Sequence, residues 1–146
     1  RQEGNNAHTH PFVSVYEAYK KSGPNVLGVE ALQGDDGCTG VKVNTADGYA
    51  DYLFSATDMQ AHHPSKRVSF CGGLGLIREK EGQIQLMYLG CGRSLKKGNF
   101  VLESDHDVYA AIYMQHGVWY YSATGPVRVK IGKETKELNE GYNQKL

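Results

Sequence analysis

The sequence predicts an all-β fold, an antiparallel two-sheet β-sandwich of about ten strands. Three observations carry the prediction. Short runs in which apolar and polar side chains alternate recur along the chain, as in strands with one wet face. Glycine (18) and tyrosine (10) are abundant and proline (4) is sparse, the composition of strands joined by tight turns. No helical segments alternate with the strands, which argues against a parallel sheet. Each alternating sheet leaves one apolar face, and two such faces packed together hide both.

Residues 1–10, RQEGNNAHTH, are polar and aperiodic and read as a flexible arm. Residues 11–131 form the sandwich domain. Its first strand spans 12–19 (FVSVYEAY). Phe12, Tyr16 and Tyr19 also lie at helical spacing, but the β-branched Val13 and Val15 favour a strand. Ser22-Gly23-Pro24-Asn25 is a turn signal, and Val26–Leu32 follows as the second strand. The polar Gly34-Asp35-Asp36-Gly37 ends it. Residues 39–45 place Val41 and Val43 on one face, and Asp47-Gly48 is a hairpin signal that leads into Tyr49–Ala56. Residues 57–66 (TDMQAHHPSK) are the longest irregular polar stretch in the middle of the chain.

A strand at 67–71 then breaks at Gly72-Gly73. Residues 74–80 and 83–89 make a hairpin about Glu81-Gly82, interrupted by Gly90 and Gly92. A short piece at 93–96, a Lys97-Gly98 turn and a strand at 100–103 come next. In 107–115, Val108, Ala110, Ile112 and Met114 share one face and Tyr109 and Tyr113 the other. His116-Gly117 turns into the aromatic-rich 118–122. Val127–Ile131 alternates Val127, Val129 and Ile131 with Arg128 and Lys130, the cleanest strand with one wet face. Residues 132–146 are a polar tail that either adds an edge hairpin or frays.

Composition narrows the function. The 146 residues suit one domain with a real core, and 16 basic residues balance 16 acidic ones. With a pI of about 7.2 the chain offers no general grip on nucleic acid. No apolar run is long enough to insert in a membrane as a helix. The chain starts at Arg1 with no charged-then-apolar leader, and reads as a mature fragment or a domain cut from something longer. The three cysteines, Cys38, Cys71 and Cys91, form at most one bridge. Cys71 and Cys91 sit beside glycines in apolar runs and read as small buried residues.

Few residue patterns carry chemistry. His62 and His63 are adjacent, so on an extended chain they point to opposite sides; loop histidines are favoured over a metal pair. Asp105-His106-Asp107 offers a carboxylate-flanked imidazole for general acid catalysis, against the favoured reading of a polar turn. Ser55, Ser104 and Ser122 have no activating base marked in sequence, and no GxSxG elbow occurs. The run from Cys71 to Gly75 lacks the ending of a phosphate loop. Trp119, Tyr120 and Tyr121 are consecutive, so at least one faces outward, where a ring can stack on a sugar; the favoured reading keeps Trp119 in the core and the tyrosines at its rim. No catalytic residue, metal or cofactor is assigned.

Three longer patterns carry a resemblance. FVSVYEAY precedes a VEAL strand within 10–32. A hairpin in 41–58 ends in DYLFS with an acidic residue soon after. An F-x-G-x-x-G-x-I-R segment in 68–95 returns through L-x-x-G-x-x-L. These stretches, covering most of 10–131, resemble the C-terminal β-rich region of heparinase II/III-like polysaccharide lyases. The resemblance implies a sandwich that follows an upstream helical catalytic domain of the same chain. Such enzymes cleave uronic-acid-containing polysaccharides by β-elimination, with a Tyr or His as base and Asn, His or Glu groups neutralising the carboxylate. Most of those residues lie in the helical domain, so none is carried over. The Gly/His/Asp-rich motif that brings some members a structural metal is missing. The expectation is a non-catalytic accessory domain of a secreted or periplasmic enzyme that meets acidic polysaccharide through the full-length protein. The alternative is a carbohydrate-binding module. In either case Trp119, Tyr120, Tyr121, His62, His63 and His106 are the candidate sugar contacts.

Overall fold

Alternating side chains become strands, and the strands become one sheet. A computed structural model describes residues 14–18, 23–32, 37–64 and 68–146, and among them eleven antiparallel strands belong to a single hydrogen-bonded sheet, with no helix. The strands are β1 (Val26–Leu32), β2 (Cys38–Thr45), β3 (Tyr49–Ala56), β4 (His63–Pro64), β5 (Ser69–Lys80), β6 (Gln83–Lys97), β7 (Phe100–Gln115), β8 (Val118–Ala123), β9 (Val127–Ile131), β10 (Glu134–Leu138) and β11 (Gly141–Lys145). Residues 1–10, expected as an arm, lie outside the described residues.

The first predicted strand is not formed in its described part: residues 14–18 pair with no ladder. Instead both carboxylate oxygens of Glu17 accept backbone N–H groups at the entry to β1, from Asn25 at 2.6 Å and Val26 at 3.0 Å. A side chain thus satisfies donors that a strand would otherwise have taken.

Three of the predicted breaks are also absent. β5 runs through Gly72-Gly73, β6 through Gly90 and Gly92, and β7 through residues 104–107. These long strands serve two layers. One half of each lies in a larger layer ordered β1-β2-β3-β5-β6-β7-β8-β11; the other lies in a smaller layer ordered β4-β5-β6-β7-β9-β10. The expected sandwich is therefore a single sheet turned over on itself. Strands that cross a corner between layers need bends or bulges.

Glycine makes that corner. Gly72 pairs with Gly92, and a Cβ on Gly92 would lie 2.6 Å from the Cys71 carbonyl oxygen and 2.6 Å from the Gly72 Cα. No side chain fits between backbones so close. Cys91 beside it takes a positive φ of 48°. Between the pairs Gly92↔Val108 and Ser94↔Glu103, β6 has only Arg93, whereas β7 has Ser104, Asp105, His106 and Asp107. The surplus residues bulge outward, so Asp105-His106-Asp107 sits on a bulge inside one strand rather than in a turn between two.

Side chains from both layers meet in the core. Phe70, Leu95, Leu102 and Val129 lie in register across the smaller layer, and Tyr52, Ile77, Met87 and Ile112 across the larger. A Cβ on Gly75 would touch Phe70 at 3.0 Å and Leu95 at 3.4 Å, so the smaller layer folds down onto that position. Phe100 packs against Trp119 with centroids 6.0 Å apart. Phe70, Ile77, Met87, Leu89, Leu95, Leu102 and Ile112 are fully buried; each contributes about 1.5–3 kcal/mol by leaving water. A largely buried ion pair also spans the layers. Lys97 Nζ lies 2.7 Å from Glu79 and 3.4 Å from the Tyr52 ring centroid.

The tail continues the sheet. β10 pairs with β9, while β11 pairs with β8, so its two strands go to different layers and do not form a hairpin with each other. Glu81-Gly82 and His116-Gly117 both have positive φ at each residue, the geometry that matches the twist of a tight hairpin.

Candidate functional site

The two outer faces differ in chemistry. Across the smaller layer, outward positions run Cys71, Ser94, Glu103, Arg128, Glu137 in register. With the β7 bulge beside them they line a polar cleft of about 490 Å³. Across the larger layer the outward row is Val41, Leu53, Leu76, Tyr88, Ala111, without a charge over five strands.

His62 and His106 both line the polar cleft. His62 Nε2 lies 2.7 Å from the Ser69 hydroxyl, and His106 is exposed on the bulge. His63 turns the other way and is buried. Its Nε2 lies 3.3 Å from the Asp58 carbonyl oxygen, and its ring stands against Phe70. The opposite directions of the neighbouring histidines follow from the alternation expected of adjacent residues in extended chain.

Among the described residues, the lysine and arginines of the cleft are each held by carboxylates. Lys96 lies 2.7 Å and Arg128 3.0 Å from Glu103; Arg128 also reaches Glu137 at 2.5 Å. Arg93 lies 3.0 Å from Asp107, which also accepts a hydrogen bond from Gln60 at 2.9 Å. The hydrogen bond from Lys96 is the main cause that holds the Glu103 carboxyl below the usual range, and Arg128 adds to it, against the effect of partial burial. Asp107 is lowered by Arg93 and then Gln60. Burial pushes the Cys71 thiol up, so it is not a ready nucleophile. The arrangement is a lattice of neutralised pairs. Among the described residues, the lysine and arginines that line it are all committed to carboxylates.

The three consecutive aromatics divide by side. Trp119 and Tyr121 pair with Met114 and Ile112 and pack against the core, because inward positions of β8 follow those of β7. Tyr120 faces outward and stacks on Tyr113, with centroids 6.0 Å apart and planes 17° from parallel. Of the six sequence-chosen residues, His62 and His106 share the cleft, Tyr120 lies on the outer face of the other layer, and His63, Trp119 and Tyr121 pack inward. Sequence reading missed Arg93, Glu103, Arg128 and Glu137, whose pairing comes from registers between strands. The alternation of Arg128 with Val127 and Val129 marked its wet face, but not its partners.

Comparisons with known proteins agree on one lineage. Residues 26–114 match the family described as the endo-acting ulvan lyase C-terminal domain. Over 111 residues the chain is 33% identical to an endo-acting ulvan lyase from Formosa agariphila, in an alignment covering 72% of this chain and 14% of that protein. The chain thus spans a small part of that relative's length. No solved structure matches the chain.

Proposed function

This chain belongs to the endo-acting ulvan lyase C-terminal domain family, and from that premise we propose that it is the non-catalytic β-domain of a lyase acting on ulvan, an acidic polysaccharide. The observation that supports a non-catalytic role is the cleft chemistry. Its histidines lie among cations already committed to carboxylates, and its cysteine is held as a thiol.

In this reading the domain supports the fold or the substrate cleft of a larger enzyme. The catalytic groups reside in an upstream helical domain of the heparinase II/III-like kind, which cleaves beside a uronic acid by β-elimination. The enzyme acts outside the cytoplasm, in secreted or periplasmic form. His62, His106 and Tyr120 are the sequence-chosen residues with access to a sugar. Trp119, Tyr121 and His63 support the surfaces beneath.

Incubating the isolated chain with ulvan, heparan sulfate and alginate, and following ultraviolet absorbance of the unsaturated product, tests the reading. No absorbance gain is expected. Turnover by the chain alone overturns the non-catalytic assignment.

A further inference from the structure

We propose that the outer face of the larger layer carries a saccharide-binding trough, in which the rings of Tyr88, Tyr109 and Tyr142 hold a polysaccharide segment by the apolar faces of its sugars. The inference deepens the accessory-domain reading and rests on it for the class of ligand.

The trough is a built shape of about 620 Å³. Its floor is small: Ala111 on β7 and Ser122 on β8 stand directly opposite each other. Its walls are phenol rings. Tyr88 lies across from Ala111 on β6, Tyr109 precedes it on β7 by one outward position, and Tyr142 reaches in from β11. The Tyr88 ring lies down along its own strand. A Cβ on Gly90 would come within 3.1 Å of both its Cε1 and its hydroxyl oxygen, so only glycine leaves room for this pose. Tyr109 is 54% exposed and Tyr142 84% exposed, a large apolar area to leave in water.

β11 is pinned beside the trough. The Asn143 N–H donates to the Ser122 hydroxyl at 2.9 Å, and the Tyr113 hydroxyl donates to Asn143 Oδ1. Ser122 accepts in that contact and keeps its own O–H to offer a ligand hydroxyl. Phenol rings around a floor that bears the Ser122 hydroxyl suit a sugar, which has an apolar face and a polar edge. Glu140 is the one charged group among the described residues that line it. An acidic chain therefore makes contact here through ring faces and hydroxyls, with its anionic groups turned to water. Binding of this kind depends little on salt, unlike attachment by surface cations.

The test is titration of the intact chain with ulvan at low and high salt, using the wild type, Tyr109→Ala, Tyr142→Ala and the double variant. Both tyrosines are exposed, and circular dichroism confirms that each variant folds. Binding that persists at high salt, weakens about tenfold in each single variant, disappears in the double variant and is unchanged in Tyr16→Ala supports the trough. Full binding in the double variant, loss of binding at high salt, or no binding by the wild type overturns it. So does sedimentation showing that the face instead joins two copies of the chain. Each of these failures leaves the accessory-domain reading standing, because that reading fails on turnover by the isolated chain.

Discussion

Gly92 is the residue on which the architecture turns. Its missing Cβ lets β6 pass within contact of the β5 backbone, where the nearest atoms are a carbonyl oxygen and a Cα, neither able to swing aside. Gly92→Ala is expected to lose about 3 kcal/mol or more of stability, since the overlap is with main chain and not a flexible side chain. Urea denaturation measures it; a midpoint close to the wild type's would show that the corner is looser than described. Gly90 does a different job, leaving space for the Tyr88 ring. Both glycines stand out in the sequence, yet a glycine in an apolar run reads equally as a break, a bulge or a close approach. Only the neighbouring strand tells them apart.

Strand pairing, not any single residue, assembles the polar cleft. Lys96, Glu103, Arg128 and Glu137 come from β6, β7, β9 and β10 and meet because those four strands are adjacent. Glu103 sits at the middle of the ladder with its carboxyl lowered by Lys96 first and Arg128 next. A carboxyl lowered on folding adds stability above its unfolded pKa, and that stability is lost as pH falls through the folded value. Glu103→Gln is therefore expected to melt below the wild type at neutral pH, with the gap closing as pH drops below the ordinary glutamate range. Thermal melts across that range decide it, and a gap independent of pH would place the effect in packing instead. The elements themselves were largely legible: the predicted Val26–Leu32, Tyr49–Ala56 and Val127–Ile131 coincide with β1, β3 and β9. Apart from the first predicted strand, whose described part forms no ladder, the failures cluster at glycines and at 104–107. There a strand changes layer, and local pattern resembles a turn.

One sheet folded over a corner should behave as one body. β5, β6 and β7 each contribute to both layers, and the Lys97–Glu79 pair and the Phe100–Trp119 contact tie the layers across the core. Neither layer can then open without exposing the other. The expected result is a single unfolding transition in which Trp119 fluorescence and far-ultraviolet circular dichroism coincide. Separate midpoints would mean that the layers unfold independently. The all-β class and the wet and dry sides of most strands were written in the amino-acid order, because alternation is a property of neighbours along the chain. So was the membership of a lyase lineage, in part: the resemblance pointed to a polysaccharide lyase, and the comparisons place it with the ulvan lyase C-terminal domain. Which strands pass through both layers, which cations are neutralised and which tyrosines line a trough were decided by tertiary structure. Each depends on what lies opposite across a strand pair or a corner, and those partners are far away in sequence.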